Sequence, residues 1–498
     1  MTGLYDPRFE RDACGIGLVA DANGTATRRI VDAALEGLCG VMHRGAVAAD
    51  AKSGDGAGLL LPLPRALLAR ECSPQGVGGR PPRAVDPGRL GAAMCFLEGG
   101  EDARADRARV AAKKAVEDAL AREGLRMLGW REVPVAPDVL GDASRAQMPH
   151  IVQALFARPA DLDPEIAERR CFLARKRAEQ SCREAGASAY FVSWSLRTVT
   201  YKAMSRADQL VEFYPDLKDP DWTAWFAIFH QRYSTNTMPT WERAQPFRFL
   251  CHNGEINTIE GNVNLMGARV GRLGADWPEL GDEGERLLEP LIEDSNSDSA
   301  KLDNVLEFLV RGGRGIDHVM AMLVPQVWEG RRDLPSRVRD FYRYHAALVE
   351  PWDGPAGLVF TDGLRVAASL DRNGLRPLRY AVCEDGFVVA SSEVGAVSTL
   401  EHGTVRRSRL GPGQMVLIDP RQGGVVEDYE LKRRLAASQP YGEWLRDHQR
   451  TVGVGQPASG SGEDLLPRQI ASGYTKEEET TVLRPMATTG KEPVSSMG

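Results

Sequence analysis

The feature that most constrains the fold of this chain is a series of short apolar segments from residue 189 onward. Segments of about four to eight apolar or alternating residues are typical of β-strands. Two longer segments, Ala103 to Arg122 and Pro164 to Glu184, have the periodicity of amphipathic helices. Many short strands with helices grouped between them predict an α+β, layered architecture. The predicted strands are residues 189–195, 225–231, 247–252, 356–360, 365–370, 378–383 and 386–391.

Charge and hydropathy narrow the classes of function. The chain has 62 Lys and Arg against 69 Asp and Glu, a net charge of -7, with the two signs interspersed. This balance argues against nucleic acid as a partner. No stretch approaches the roughly 18 apolar residues of a membrane span, and residues 1–13 lack the apolar core of a signal peptide. The sequence therefore predicts a cytoplasmic protein with no membrane partner.

The cysteines give no metal-binding pattern. They contain no Cys-x-x-Cys pair, which argues against a zinc site and an iron–sulfur cluster in this chain. Most are expected to be buried free thiols. The eight positions are 14, 39, 72, 95, 171, 182, 251 and 383.

The chain divides into three predicted segments. Residues 1–13 form a short, charged leader that is expected to be removed, and residues 14–434 form one large domain. After Arg434 the sequence becomes polar, with a Gly/Ser-rich linker at 453–462. Residues 435–498 are therefore predicted to be a loosely ordered linker followed by the start of another domain.

Cys14 is a candidate nucleophile because it follows the leader directly and precedes Gly15 and Gly17. Cleavage before Cys14 would create an α-amine with a pKa of about 7.7 to 8.0, tethered to the thiol that needs a base. The alternative is that Cys14 is a small, inert core residue at the start of a strand.

Asn253 and Gly254 can together stabilise an oxyanion. A side-chain amide beside a glycine N–H offers two donors, each worth about 3 kcal/mol in a transition state. The alternative is that Asn-Gly is simply a hairpin turn. The two interpretations are compatible, because a turn at the end of a strand presents its donors well.

Two charged residues could bind a free amino acid. Arg232 follows an apolar strand, where its guanidinium could hold a carboxylate in a fork. Asp298 lies at the predicted start of a helix, where an ordinary N-cap is the alternative interpretation.

A series of motifs, in this order, closely resembles the glutamine amidotransferase domain of glutamate synthase large chains. The resemblance runs from Leu4 to the C-terminus. The motifs are Asp12-Ala-Cys-Gly-Ile-Gly17, His43-Arg-Gly-Ala46, Gly54-Asp-Gly-Ala-Gly58, Arg232-Tyr-Ser-Thr-Asn-Thr237, His252-Asn-Gly-Glu-Ile-Asn-Thr258, Ser297-Asp-Ser-Ala300, Glu350-Pro-Trp-Asp-Gly-Pro-Ala356 and Leu370-Asp-Arg-Asn-Gly-Leu-Arg-Pro377.

The resemblance implies a fold, a reaction and a role for each site residue. The fold is the four-layer α/β/β/α sandwich of N-terminal-nucleophile hydrolases. The reaction is hydrolysis of L-glutamine to L-glutamate and ammonia through a γ-glutamyl thioester. The implied roles are nucleophile for Cys14, oxyanion hole for Asn253 and Gly254, α-carboxylate binding for Arg232, α-amino binding for Asp298 and an active-site arginine beside the nucleophile for Arg44.

The family also implies what lies outside this chain. Its members continue into a central domain and a synthase barrel that carries FMN and a [3Fe-4S] cluster, so no cofactor is expected here. The resemblance implies that NAD(P)H or ferredoxin is the electron donor of such a parent enzyme. It also implies that 2-oxoglutarate accepts the ammonia. We therefore expect a truncated gene product or a separately encoded module.

Two alternatives remain open from the sequence. One is another N-terminal-nucleophile amidase that acts on acylated amides, although a paired Arg232 and Asp298 favour a free amino acid. The other is an uncleaved, inactive remnant or regulatory module.

Overall fold

The computed structural model describes residues 14–50, 52–71, 86–232, 239–269, 271, 277–293, 297–450 and 465–490. The predicted leader, the 453–462 linker and most of the Arg232–Thr237 motif lie outside this part of the chain. The strands are β1 Gly15–Asp21, β2 Ala57–Pro62, β3 Leu90–Leu97, β4 Arg126–Glu132, β5 His150–Ala157, β6 Ala189–Ser195, β7 Thr198–Ala203, β8 Phe226–Gln231, β9 Leu250–Gly254, β10 Ala356–Thr361, β11 Val366–Leu370, β12 Arg379–Cys383, β13 Phe387–Ser391, β14 Thr404–Arg409, β15 Met415–Asp419 and β16 Gly424–Val426.

Helices alternate with groups of these strands. The two predicted amphipathic helices have the bounds that their periodicity indicates. The helices are α1 Arg28–Gly40, α2 Arg65–Glu71, α3 Ala103–Arg122, α4 Asp142–Ala146, α5 Pro164–Glu184, α6 Ala207–Phe213, α7 Ile259–Arg269, α8 Asp298–Arg311, α9 Ile316–Leu323, α10 Ser336–Ala346, α11 Asp428–Ala437, α12 Tyr441–His448, α13 Leu465–Ala471, α14 Lys476–Glu478 and α15 Arg484–Thr489.

Two antiparallel sheets pack face to face and form the central part of the fold between residues 14 and 442. The first has seven strands in the order β14-β12-β13-β1-β8-β2-β7, and the second has five in the order β16-β15-β11-β10-β9. Alternate residues of β1, including Ile16 and Leu18, share one buried cluster with Val359, Val416 and Ile418 of the second sheet. Because side chains alternate between the faces of a strand, every second residue of β1 points into this interface.

Helices cover the two outer faces of the sandwich. Ile30, Ala34 and Leu38 of α1 pack on Val19 and Phe229, which point away from the interface. On the second sheet, α8 contacts β9 and α11 contacts β15. The α+β class and the α/β/β/α order of layers are therefore confirmed.

A third sheet was not anticipated from the sequence. Its order is β4-β5-β3-β6, and it lies in the chain between β2 and β7. One face packs on α3 and α5 through small side chains such as Ala112, Ala115 and Ala174. The other face adds Met94 and Phe96 to the core beneath the first sheet.

The chain separates into two compact units, Met1–Gly442 and Glu443–Gly498. In the first unit, Leu435 and Tyr441 are still buried. In the second, α13 to α15 contain no buried residue in the described part. The proposed boundary at Arg434 stays a prediction. No helix in the described ranges is long and apolar enough to span a membrane.

Candidate active site

Cys14 lies immediately before β1, the middle strand of the first sheet, and its side chain is only 5% exposed. It belongs to the cluster between the two sheets. The glycines that follow it are required by close packing. A Cβ at Gly15 would overlap the Val41 side chain, and one at Gly17 would overlap the Phe229 ring.

Asn253 connects the second sheet to this cysteine. It lies near the end of β9, on the same face as Cys251, which points toward the first sheet. Its Nδ2 donates to the Cys14 carbonyl oxygen at 2.8 Å. Because a side-chain amide carries two hydrogens, one donor remains to be directed at a substrate.

Gly254 ends β9 in a conformation that only glycine tolerates. Its φ is 141°, and a Cβ there would overlap the Pro355 carbonyl oxygen. Both Asn253 and Gly254 are paired with β10, and the next element along the chain is α7. The pair is therefore a strand end, and the interpretation as a two-residue hairpin turn is wrong.

Arg232 follows β8 and has a φ of 92°, the only positive φ of a non-glycine residue in the described part. Such a conformation costs about 1 to 3 kcal/mol and persists where the surroundings enforce it. Its N–H donates to the Gly56 carbonyl oxygen at 2.7 Å, and its Nε lies 3.6 Å from Asp55 Oδ2. Its Nε and Nη1 are buried without a hydrogen bond to a described residue. The guanidinium is thus held in place with donors to spare.

Asp298 is the first residue of α8, and the N-cap of this helix is Ser297, whose hydroxyl accepts from Ala300 N–H. Asp298 Oδ2 instead accepts from Ile256 N–H at 2.9 Å, across the gap to the segment after β9. Its Oδ1 accepts from Ser299 N–H at 2.7 Å. The interpretation of Asp298 as an N-cap is therefore wrong, because Ser297 caps the helix and the Asp298 carboxylate accepts from Ile256 N–H.

Arg44 lies on the short 3₁₀ turn Met42–Arg44, which follows Val41 beside the start of β1. Its Nε donates to Glu393, and the side chain is 27% exposed. Arg44 is thus three residues from Val41, which lies against Gly15, and its side chain is directed at Glu393. Its expected role in the active site stays a prediction.

Sequence reasoning did not assign a role to Asp55, which the structure brings into the site. Asp55 is buried, and its carboxylate accepts from Ala46 N–H at 3.0 Å besides facing Arg232. Burial raises the pKa of Asp55 to about 6. The sequence feature that could have identified Asp55 was a carboxylate within the glycine-rich segment Gly54–Gly58, to which no individual role was assigned.

Four charged side chains influence the thiol. Burial raises the pKa of Cys14 to about 12, the positive charges of Arg232 and Arg376 lower it, and Asp55 and Asp298 raise it. A thiol in this environment is neutral at physiological pH. Because the thiolate is the attacking species, the site needs a base or a favourable field before it can react.

Two histidines lie in the strands around the site. His230 Nε2 is 3.2 Å from the His252 carbonyl oxygen, and His252 Nδ1 is 2.8 Å from Ser299 Oγ. Burial lowers the pKa of His230 to about 3 and also lowers that of His252. Both are therefore neutral parts of the scaffold. Among the described residues no group of three or more His, Cys, Asp or Glu could hold a metal ion.

Comparison with known proteins gives a consistent result. Residues 14–444 match the family of class-II glutamine amidotransferases. The chain is 40% identical to the glutamate synthase [NADPH] large chain of Bacillus subtilis over all of this chain and 32% of that protein. It is 42% identical to ferredoxin-dependent glutamate synthase 2 of Synechocystis over 98% of this chain and 31% of that protein. The chain thus spans about a third of the length of these relatives.

A solved structure of the allosteric regulatory enzyme of purine biosynthesis also shows similarity. It covers 46% of this chain and 40% of that chain, with 17% identity and a TM-score of 0.30.

Proposed function

We propose that this chain, which belongs to the class-II glutamine amidotransferases, hydrolyses L-glutamine to L-glutamate and ammonia with Cys14 as the nucleophile. The observation that carries the proposal is the hydrogen bond from Asn253 to the Cys14 carbonyl oxygen. It brings an amide donor from one sheet to the candidate nucleophile of the other.

The proposed reaction begins with attack of the Cys14 sulfur on the side-chain amide carbon of glutamine. Negative charge then develops on the amide oxygen, where the second Asn253 hydrogen and the Gly254 N–H stabilise it. Collapse of this intermediate breaks the C–N bond while the proton taken from the thiol passes to the nitrogen, which releases ammonia and leaves a γ-glutamyl thioester. Water attacks the thioester carbon and releases glutamate and the thiol.

Recognition of the amino acid is assigned to the two charged residues beside the nucleophile. Arg232 has buried donors without a hydrogen bond to a described residue, and these suit the α-carboxylate. Asp298 suits the α-amino group, and its carboxylate is fixed by Ile256 N–H and Ser299 N–H. A free amino acid satisfies both charges, which favours glutamine over an acylated amide.

The base in this proposal is the α-amino group of Cys14, freed by cleavage of the Ala13–Cys14 bond. The buried thiol has a pKa of about 12, so it requires a proton acceptor close to the sulfur. An α-amine has a pKa near working pH and is tethered to the thiol itself. An uncleaved chain would lack this base, as the regulatory-module alternative supposes.

We further propose that the ammonia is destined for 2-oxoglutarate in glutamate biosynthesis. The support is the similarity to the first third of glutamate synthases that use NADPH or ferredoxin. FMN, a [3Fe-4S] cluster and the electron donor would then belong to a synthase domain or chain beyond residues 14–444. We also propose that the protein acts in the cytoplasm.

The test is to purify the chain, determine its N-terminal residue by mass spectrometry, and measure ammonia release from glutamine. We expect an N-terminal Cys14 and glutamine-dependent ammonia release. Full activity in a chain that retains residues 1–13 would exclude the α-amine as base. Glutamate formation from 2-oxoglutarate by this chain alone would exclude the proposal that the synthase reaction belongs to another domain or chain.

A further inference from the structure

Arg376 is a charged residue near the nucleophile whose role the proposed reaction does not explain. It belongs to the motif Leu370-Asp-Arg-Asn-Gly-Leu-Arg-Pro377, which forms the turn between β11 and β12. We propose that Arg376 is a positioning residue that stabilises the negative charge developing on the Cys14 sulfur. This inference rests on the proposed function, in which Cys14 is the nucleophile.

The turn that carries Arg376 is rigidly attached to the second sheet. Asp371 is 1% exposed, and its Oδ1 accepts from Asn373 N–H at 2.8 Å and from Gly374 N–H at 3.0 Å. Its Oδ2 accepts from Ala356 N–H, at the start of β10, at 2.9 Å. The backbone leading to Arg376 is therefore fixed relative to the strand that pairs with Asn253.

The side chain of Arg376 starts on the face that points toward the nucleophile. An ideal Cβ built on Gly357 would lie 3.5 Å from Arg376 Cβ and 3.6 Å from Ile16 Cδ1. Gly357 is the β10 residue paired with Asn253. The stem of Arg376 thus lies over a position without a side chain, next to the strand end that binds the Cys14 carbonyl.

The guanidinium of Arg376 has no hydrogen bond or ion pair with a described residue, and its Nε is buried without a partner. Arg232, Arg372 and Arg44 each have a carboxylate beside the guanidinium. Arg372, in the same turn, holds Asp353 through two hydrogen bonds, and Arg44 holds Glu393. A buried donor without a partner costs folding free energy, and an anion that forms beside it during function would satisfy it.

Among the charged residues around Cys14, Arg376 is the one available to stabilise the negative charge on the sulfur. The thiol is influenced by Arg232, Arg376, Asp55 and Asp298, and by the neighbouring Cys251 thiol. Arg232 lies beside Asp55 and is assigned to the α-carboxylate of glutamine, and Asp298 is assigned to its α-amino group. Arg376 is then the positive charge that substrate binding leaves uncompensated. Its field lowers the pKa of Cys14.

The test measures the thiol directly and needs no glutaminase activity. Purified chains in the same N-terminal processing state are treated with iodoacetamide between pH 5 and pH 11, and the rate of Cys14 alkylation is followed by peptide mass. The variants are Arg376→Gln, Arg376→Lys and Arg379→Gln. Arg379 is exposed on β12, so Arg379→Gln is a control that removes the same charge three residues away.

Arg376→Gln should raise the pKa of the Cys14 thiol by about 0.5 to 1 pH unit, which makes alkylation roughly 3- to 10-fold slower at every pH below that pKa. Arg376→Lys and Arg379→Gln should stay within about twofold of the parent at every pH. If Arg376→Gln does not fold, Arg376→Met keeps the stem over Gly357 and should show the same shift.

A profile of Arg376→Gln that overlays the parent would overturn the inference. So would a loss of rate that Arg376→Lys shares, which indicates altered access to the thiol, or a raised KM for glutamine with an unchanged alkylation rate, which indicates substrate binding. Failure of Cys14 to react in the parent chain would instead contradict the proposed function. The two failures are therefore distinguishable.

Discussion

Asn253→Ala should lower kcat for glutamine hydrolysis by roughly 10²- to 10³-fold and change KM little, since it removes an oxyanion donor worth about 3 kcal/mol. The same change deletes the 2.8 Å hydrogen bond to the Cys14 carbonyl oxygen. Loss of one buried hydrogen bond costs about 1 to 3 kcal/mol of folding free energy, and a stability of about 5 to 15 kcal/mol accommodates this. The variant should therefore remain folded.

The assay is steady-state ammonia release, with thermal unfolding measured on the same samples. Asn262→Ala is the matched control, because Asn262 is also buried and its Nδ2 donates to a backbone carbonyl, that of Pro351, at 3.1 Å. This control should lose comparable stability but less than about threefold in kcat. A fall in kcat of less than tenfold for Asn253→Ala, or one equal to that of the control, would refute the oxyanion role.

Three further outcomes follow from the site. Arg232→Ala and Asp298→Ala should raise KM for glutamine by at least tenfold. Competition assays should also show weaker discrimination against analogues that lack the α-carboxylate or the α-amine. An effect on kcat alone would contradict these roles. Asp55 has its pKa raised by burial from 3.8 to about 6, so the folded state is progressively destabilised as the pH rises between these values. Asp55→Asn should therefore gain up to about 2 to 3 kcal/mol in denaturant unfolding above pH 6 and nothing below pH 3.8; a constant gain at all pH values would exclude ionisation as the cause. Cys14→Ser should unfold at the parent temperature within about 3 °C yet release no ammonia, and residual turnover would point to another nucleophile.

Much of the fold could be predicted because its signals are local. The bounds of α3 and α5 follow from helical periodicity and from Asp102 and Asp163, whose carboxylates cap the first turns. The third sheet could not be predicted as a separate layer. Its strands resemble those of the sandwich, and which sheet a strand joins depends on pairings distant in sequence.

The site was predictable only in part for the same reason. Asn253 and Cys14 are separated by 239 positions, so only the family resemblance, and no local pattern, indicated that they belong to one site. The helix-start pattern at Ser297-Asp298 did not reveal which residue caps the helix, because either side chain can do so. The roles of Asp55 and Arg376 depend on the packing of turns against β8 and β10, which no local pattern encodes.

The most direct test of the central claim is to locate the covalent adduct of a glutamine-analogue electrophile by mass spectrometry of the purified chain. The account predicts one adduct, on Cys14, in a chain that begins at Cys14, and protection by glutamine. It also predicts no adduct in Arg232→Ala at concentrations that label the parent fully, since the electrophile must first bind as an amino acid. Labelling of Cys39 or Cys251 in place of Cys14, or labelling of Cys14 that glutamine does not slow, would contradict the claim.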